Sequence, residues 1–336
     1  MSVFASLALC LFVNGKSLTP ALEPVAPKAT IKFATIVPEG SVWDKAFRRM
    51  GSDWKKATDG RIRLKLYPGG VAGDEPDIIR KLRIRQLNGA ALTISGLAEI
   101  EPTFGVFQAP MFFRSHEEML HVLEEMTPML DANLAKKGFV RLHWGHGGWI
   151  HLFSKKPVEV PDDLRAQKQW VWAGNNSEAQ LWKRNGFNPI PLAAGDIPQG
   201  LQTGLIEAVP APPVTALALQ WFRSAPYMLD LGAVPYIGGT IISKATWDKI
   251  SKEDQALLLA GAKRAEAHLD IEVPKQERAA IDEMKKRGLK IIAPADEGRP
   301  WKRVAEKFAD ELGAPGSAVK DEFELARTLR DAYRKR

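Results

Sequence analysis

Residues 163–213 read DLRAQKQWVWAGNNSEAQLWKRNGFNPIPLAAGDIPQGLQTGLIEAVPAPP, and in this stretch short apolar runs alternate with amphipathic ones. The apolar runs predict strands over residues 169–173, 188–192 and 205–209, because they are rich in β-branched and aromatic side chains. The runs between them predict helices, which end at Gly186 and Gly204. Strands that alternate with helices favour an α/β fold, in which ligands bind at the carboxyl ends of the strands.

Length and composition indicate a globular protein with two domains. The chain has 336 residues, of which 45% are hydrophobic and 26% charged, which is typical of soluble globular proteins. The net charge is +7, but the basic residues are spread along the chain. No arginine-rich stretch contains interleaved aromatic residues, so we expect no nucleic acid as a partner.

The N-terminus predicts export from the cytoplasm. Residues 3–13 form an apolar run too short to span a bilayer, and we expect residues 1–15 to be a secretory signal and residues 16–29 a tether. No Lys or Arg precedes the run, which leaves a buried N-terminal element as the alternative. The one cysteine, Cys10, follows a bulky leucine, which argues against lipid anchoring and favours a periplasmic protein without a disulfide.

Three further predicted strands end in segments able to face a ligand. The strand over residues 30–36 leads into a loop and a helix capped by Ser41, the strand over 61–67 ends at Pro68-Gly69-Gly70, and the strand over 89–94 ends at Ser95-Gly96. The candidate ligand contacts in this half of the chain are Val37, Pro38, Ser41, Trp43, Gly70, Thr93 and Ser95.

The remaining pattern predicts how the domains are joined. Residues 138–155 form an extended run long enough to pass between domains, and residues 236–243 return as a strand. A helical pattern covers most of residues 244–287, with a capping box at Ser251 and Asp254 and an interruption at Pro274, and predicts a strut that reaches both domains. We expect one domain to comprise residues 30–150 and 236–262, and the other to comprise residues 151–235 and 289–336.

The sequence offers no recognisable catalytic chemistry. His143, His146 and His151 lie in a Gly- and Trp-rich extended run without a neighbouring carboxylate or cysteine, which favours strand and turn histidines over metal ligands. The chain has no nucleophile elbow, phosphate loop or dinucleotide fingerprint. We therefore expect no enzyme activity, no metal and no cofactor, and keep an enzyme on the same scaffold as the alternative class.

Three motifs resemble one family, the DctP-type extracytoplasmic solute-binding proteins of tripartite ATP-independent periplasmic (TRAP) transporters. They are LYPGG at residues 66–70 followed by GDE at 73–75, PDDL at 161–164 leading into 169–175, and LQTGLIEA at 201–208. The resemblance implies a type II periplasmic-binding-protein-like fold, with two α/β domains, crossing strands and a long bracing helix. It also implies that a small organic ligand binds in the cleft and is delivered to TRAP membrane subunits, with the protein a monomer or dimer.

The sequence departs from that family at three positions. Where relatives carry an Arg on the first strand of residues 163–213, this chain has Trp170; where they carry a second Arg on the crossing strand, it has Ile150; and Ala211 replaces an Asn. The resemblance therefore implies a ligand held without an arginine–carboxylate clamp, either apolar or stacked on Trp170, Trp172 or Trp149.

Two alternatives remain open at this stage. Another cation, Arg141 or Lys168, could replace the missing Arg, or the cleft could be vestigial in a protein that binds a periplasmic partner. The candidate ligand contacts in the second half of the site are Trp149, Ile150, Trp170, Trp172, Asn175, Ala211 and Pro212.

Overall fold

A computed structural model describes residues 29–173 and 176–336. The predicted signal over residues 1–15, nearly all of the predicted tether, and the candidate contact Asn175 lie outside the described residues.

The described part of the chain contains ten strands that form one connected sheet. They are β1 Ala29–Thr35, β2 Ile62–Tyr67, β3 Gly89–Thr93, β4 Phe139–Ser154, β5 Lys168–Trp172, β6 Asn188–Leu192, β7 Ala208–Ala211, β8 Tyr227–Leu229, β9 Val234–Ser243 and β10 Lys290–Ile292.

Helices lie between and after these strands throughout the described residues. They are α1 Val42–Ala57, α2 Glu75–Arg83, α3 Ile94–Ile100, α4 His116–Lys136, α5 Pro161–Arg165, α6 Asn176–Arg184, α7 Ile197–Thr203, α8 Pro213–Ala218, α9 Lys244–Trp247, α10 Lys252–Lys286, α11 Arg299–Gly313 and α12 Lys320–Tyr333.

The long strand β4 divides the sheet into two halves. Its first part, through Ile150, pairs with β9, and β9 continues the sheet to β3, β1 and β2. Its last part, from His151 to Ser154, pairs with β7, which continues to β5 and β6. The parallel pairs β1–β2 and β5–β6 lie at opposite ends. The predicted crossing strands are thus β4 and β9.

Each half of the sheet carries helices and a hydrophobic core on both of its faces. We call β1–β3 and β9 with α1–α4 the first lobe, and β5–β8 and β10 with α5–α8 and α11 the second lobe. In the first lobe, α1 packs on one face and α2, α3 and α4 on the other. In the second lobe, one core includes α7 and α8, and the other includes α5 and α11. Two-sided coverage of a mixed sheet that is parallel at both of its ends is the α/β architecture expected from the sequence.

Helix α10 reaches both lobes, as the sequence predicted. Its 35 residues span about 52 Å at the helical rise. Leu258, Leu269 and Val273 are buried in a first-lobe core, whereas Met284 is buried in a second-lobe core.

The predicted cap at Ser251 is confirmed, but the prediction for this helix was wrong in two respects. The pattern over residues 244–287 contains a separate short helix, α9, before α10 begins at the cap Ser251, whose hydroxyl accepts a hydrogen bond from the Asp254 N–H at 3.2 Å. The interruption expected at Pro274 does not occur, and Pro274 lies inside α10.

The last helix, α12, packs on the first lobe. Phe323 and Ala326 are completely buried in the same core as α4, and Arg334 forms an ion pair with Glu118 at the start of α4. The domain limits expected from the sequence remain a prediction. We propose to amend them by moving residues 320–333 from the second domain to the first.

Candidate ligand-binding cleft

A cavity of about 860 Å³ lies between the two lobes. This volume is within the range of ligand pockets for small organic molecules. The first lobe contributes the segment after β1, the start of α2 and the end of β3 with α3, and the second lobe contributes the ends of β5 and β7. Strand ends therefore face the cavity from both sides, as expected for ligand sites in α/β folds.

Most of the candidate ligand contacts lie on the wall of this cavity. The ones that do are Val37, Pro38, Trp43, Thr93, Ser95, Ile150, Trp170, Trp172, Ala211 and Pro212. The structure thus brings together residues that are far apart in the sequence. As contacts to a bound ligand they remain predictions.

Three other candidates lie off the wall. The hydroxyl of Ser41 accepts a hydrogen bond from the Asp44 N–H and caps α1. Gly70 belongs to a turn, with φ at 75°, and its N–H donates to the carbonyl of Thr35 at 3.1 Å. Trp149 packs beside Gly232, where an added Cβ would lie 3.0 Å from the indole.

The positions that depart from the family pattern line the same part of the cavity. Ile150 is next to His151, which is paired in register with Ala211 across β4 and β7, and Trp170 lies on the adjacent strand β5. Trp170 is only 5% exposed, and its indole N–H donates to the carbonyl of Leu192 at 3.0 Å. Its ring meets that of Trp172 edge to face, with 4.8 Å between centroids. This wall is aromatic and closely packed.

Basic side chains are scarce on the described part of the wall, where they are Arg184 and His151. Arg184 is paired with Glu311 at 2.8 Å. Burial lowers the pKa of His151, which favours its neutral form.

Neither of the alternative cations lines the cavity. Arg141 forms two hydrogen bonds with Asp131, at 2.7 and 2.8 Å, and stacks on Trp144. The Lys168 ammonium donates to the carbonyl of Gly204 at 3.0 Å.

The first-lobe wall contains a buried carboxyl group that sequence reasoning missed. Glu75 is 2% exposed, and its oxygens accept hydrogen bonds from the Thr93 N–H and hydroxyl, both at 2.6 Å. Burial raises its pKa to about 7, with smaller contributions from the charges of Asp74 and Glu99. Its position in the GDE motif was visible, but nothing local in the sequence indicated that this glutamate is buried.

The approach of Glu75 to α3 requires a glycine. A Cβ added at Gly96 would lie 2.6 Å from the Oε2 atom of Glu75, far inside ordinary contact distance. Glu99, one turn further along α3, is exposed and lines the same cavity. Partial burial raises the pKa of Glu99.

One hydrogen bond joins the two lobes beside the cavity. The N–H of Ala194, in the segment before α7, donates to the Oδ2 atom of Asp74 at 2.9 Å. The other carboxylate oxygen of Asp74 accepts from the Glu75 N–H at 2.8 Å and caps α2.

Two wall residues have a buried polar atom without a hydrogen-bond partner in the described structure. They are Gln169, through its Oε1 atom, and Trp221, through its Nε1 atom. Buried polar groups are normally paired, so such atoms at a cavity are candidates for contacts with a ligand.

None of the helices in the described residues is both long enough and apolar enough to cross a membrane. Within residues 29–173 and 176–336, no three side chains among His, Cys, Asp and Glu are grouped so as to hold a metal ion.

Two α/β lobes, crossing strands, a helix that braces both lobes and a ligand-sized cleft define a two-lobed solute-binding protein. Comparison with known proteins identifies the family. Residues 33–314 match the family described as DctP, bacterial extracellular solute-binding protein, family 7, and the chain belongs to it. The resemblance inferred from the three sequence motifs is confirmed.

Relatives and solved structures agree with this assignment. A solute-binding protein of Chromohalobacter salexigens is 27% identical over 263 residues, 78% of each chain. The 2,3-diketo-L-gulonate-binding periplasmic protein YiaO of Escherichia coli is 26% identical over 275 residues, 80% of this chain and 79% of the relative.

Among solved structures, a TRAP periplasmic solute-binding protein from Pseudomonas putida with bound D-glucuronate has a TM-score of 0.80 and 27% identity. The match covers 88% of this chain and 97% of the Pseudomonas putida chain. A second, from Chromohalobacter salexigens, also with bound D-glucuronate, has a TM-score of 0.83 and 24% identity, and covers 90% of this chain and 99% of that one.

Proposed function

We propose that this protein is a periplasmic solute-binding component of a TRAP transporter whose ligand is apolar or aromatic at the second-lobe wall and is not held by an arginine–carboxylate clamp. The observation that carries the proposal is the composition of the cavity wall. Arg184 is the one Arg or Lys on its described part, and it is already paired with Glu311.

The energetics of burial support this choice of ligand. A carboxylate bound against Ile150, Trp170 and Ala211 would lose its hydration without gaining a charged partner, which costs several kcal/mol. An aromatic or aliphatic body would instead bury apolar surface and gain edge-to-face contacts with Trp172. The sugar acids bound by relatives are therefore poor models for the ligand of this chain.

The fold supports a cycle of ligand binding and release in which no reaction is catalysed. Ligand that contacts both lobes favours the closed arrangement, and bending at β4 and β9 allows the lobes to open. We propose that the closed form delivers the ligand to the membrane subunits, that the protein catalyses no reaction, and that it acts as a monomer or dimer after export by its N-terminal signal.

The test measures binding by isothermal titration calorimetry and thermal shift. We expect no micromolar binding of D-glucuronate, and measurable binding and a raised melting temperature with 2-phenylethanol, a neutral aromatic probe. Trp172→Ala should weaken 2-phenylethanol binding, whereas Trp149→Ala, a matched change off the cavity wall, should not.

Micromolar binding of D-glucuronate would overturn the proposal. In that case Arg184→Gln shows whether Arg184 leaves Glu311 to hold the acid, because this variant would then lose D-glucuronate binding.

A further inference from the structure

The first-lobe wall of the cavity carries the carboxyl groups of Glu75 and Glu99, and Asp74 lies directly beside Glu75. Asp74, Glu75 and Glu99 lie close enough that the charge of Asp74 disfavours ionisation of both glutamates, and Glu99 disfavours ionisation of Glu75. Arg83 partly offsets this effect for Glu99. The electrostatic potential on this side of the cavity should therefore be negative, because low-dielectric walls weaken screening by solvent.

The wall around these carboxyl groups favours a cation in a second way. The rings of Trp43 and Tyr236 both line the cavity and meet at 5.9 Å, edge to face. Aromatic faces attract ammonium groups, most strongly where water is excluded.

A third observation is independent of charge. Gln169 lines the cavity, is 1% exposed, and its Oε1 atom has no hydrogen-bond partner among the described residues. This atom is a hydrogen-bond acceptor, and an ammonium group is a donor without acceptor capacity. A ligand N–H would satisfy an atom that the protein leaves unpaired.

On the basis of the proposed solute-binding function, we infer that the ligand is an organic cation, a protonated amine carried on an apolar or aromatic body. The amine lies between Glu99 with the neighbouring carboxyl groups of the first lobe and the Oε1 atom of Gln169 in the second lobe, to which it donates an N–H. The body lies against Trp170 and Trp172 of the second lobe. Because both lobes then contact the ligand, its binding favours closure.

Three probes of similar size and different charge test the inference by calorimetry on the full chain. They are phenethylammonium, the neutral 2-phenylethanol and the anionic 3-phenylpropionate. We expect phenethylammonium to bind about tenfold more tightly than 2-phenylethanol. This difference in affinity should become smaller as the salt concentration rises. We expect 3-phenylpropionate to bind most weakly.

Glu99→Gln is the matched variant, because Glu99 is exposed and its replacement leaves the packing of α3 intact. It should remove most of the affinity advantage of phenethylammonium over 2-phenylethanol, because it removes the charge that faces the amine. Glu124→Gln, at an exposed position off the cavity wall, makes the same change in net charge and should preserve the advantage.

The probes separate failure of this inference from failure of the proposed function. Equal affinity for phenethylammonium and 2-phenylethanol, retention of the full advantage in Glu99→Gln, or no binding of phenethylammonium at millimolar concentration overturns the inference and leaves the clamp-free apolar site standing. Tightest binding of 3-phenylpropionate overturns both.

Discussion

The two walls of the cleft differ in chemistry and in how they are held together. The first-lobe wall presents carboxyl groups, and its buried member, Glu75, is held by two hydrogen bonds from Thr93. The second-lobe wall presents indole rings and aliphatic side chains that also belong to a hydrophobic core, Trp170 among them, beside the ion pair of Arg184 and Glu311. Hydrogen bonds therefore hold the first-lobe wall together and packing holds the second-lobe wall, so mutations should affect the two walls differently.

The largest expected effect on stability comes from a mutation in the second-lobe wall. Trp170→Ala should lower the free energy of unfolding by about 3–5 kcal/mol, because it removes a buried indole from the core. Trp170→Phe keeps most of the ring but removes the indole N–H that donates to the carbonyl of Leu192. That carbonyl still accepts from the Ala173 N–H at 3.1 Å, so the substitution should cost only about 1 kcal/mol. Urea denaturation measures both values. A small effect of Trp170→Ala would show that this wall is not part of the core.

The buried carboxyl group of the first-lobe wall should make the stability of the protein depend on pH. The pKa of Glu75 is raised in the folded protein from 4.5 to about 7, so the folded state binds the proton more tightly than the unfolded state. Stability from this group is therefore fully present below pH 4.5 and declines as pH rises to about 7.

The Glu75→Gln variant isolates this contribution from that of other titrating groups. Relative to Glu75→Gln, the wild type should lose on the order of 3 kcal/mol between pH 4.5 and 8. The measurement is urea denaturation of both proteins across this range. Parallel pH profiles would mean that Glu75 is not buried as described.

A second test of the first-lobe wall concerns Gly96, whose lack of a side chain leaves room for the carboxyl group of Glu75. Gly96→Ala places a Cβ 2.6 Å from the Glu75 carboxyl group and should cost about 1–3 kcal/mol. Gly105→Ala is the control, because its nearest neighbour would be 3.8 Å away. Thermal unfolding distinguishes the two, and equal stabilities would contradict the close approach.

The smallest effect concerns the hydrogen bond between the walls. Asp74→Ala removes both the cap of α2 and the acceptor for the Ala194 N–H, whereas Asp74→Ser keeps a capping oxygen and is too short to reach Ala194. We expect Asp74→Ala to be about 1 kcal/mol less stable than Asp74→Ser.

Both variants at position 74 should populate more open arrangements, seen as a larger radius of gyration in small-angle X-ray scattering. Scattering that matches the wild type in both variants would show that this bond does not help to hold the lobes together.

The sequence predicted the features that depend on local pattern. The strands predicted over residues 169–173 and 188–192, the extended strand β4 and the strut α10 follow from hydrophobic periodicity and from glycines at helix ends. The strand predicted over residues 205–209 was displaced, since β7 comprises Ala208–Ala211. The convergence of Ile150, Trp170 and Ala211 on one cavity followed from the family resemblance.

Features made by distant contacts were not predictable from the local pattern. Glu75 looks like an ordinary acidic residue in the first turn of a helix, and only Thr93 and Gly96, about twenty positions later, make its burial possible. Helix α12 is amphipathic, but amphipathicity does not say which lobe it covers. Trp149 and Ile150 were both candidates, although neighbouring side chains on a strand point to opposite faces.

The strand β4 and the helix α10 are each shared by the two lobes, and this has a consequence for unfolding. If either lobe unfolds, it exposes the part of α10 that its own core buries, around Leu269 for the first lobe and Met284 for the second, and so frays a helix on which the other lobe also packs. The lobes, although each has its own cores, should therefore melt in a single cooperative transition, and fragments cut between them should be stable only when recombined.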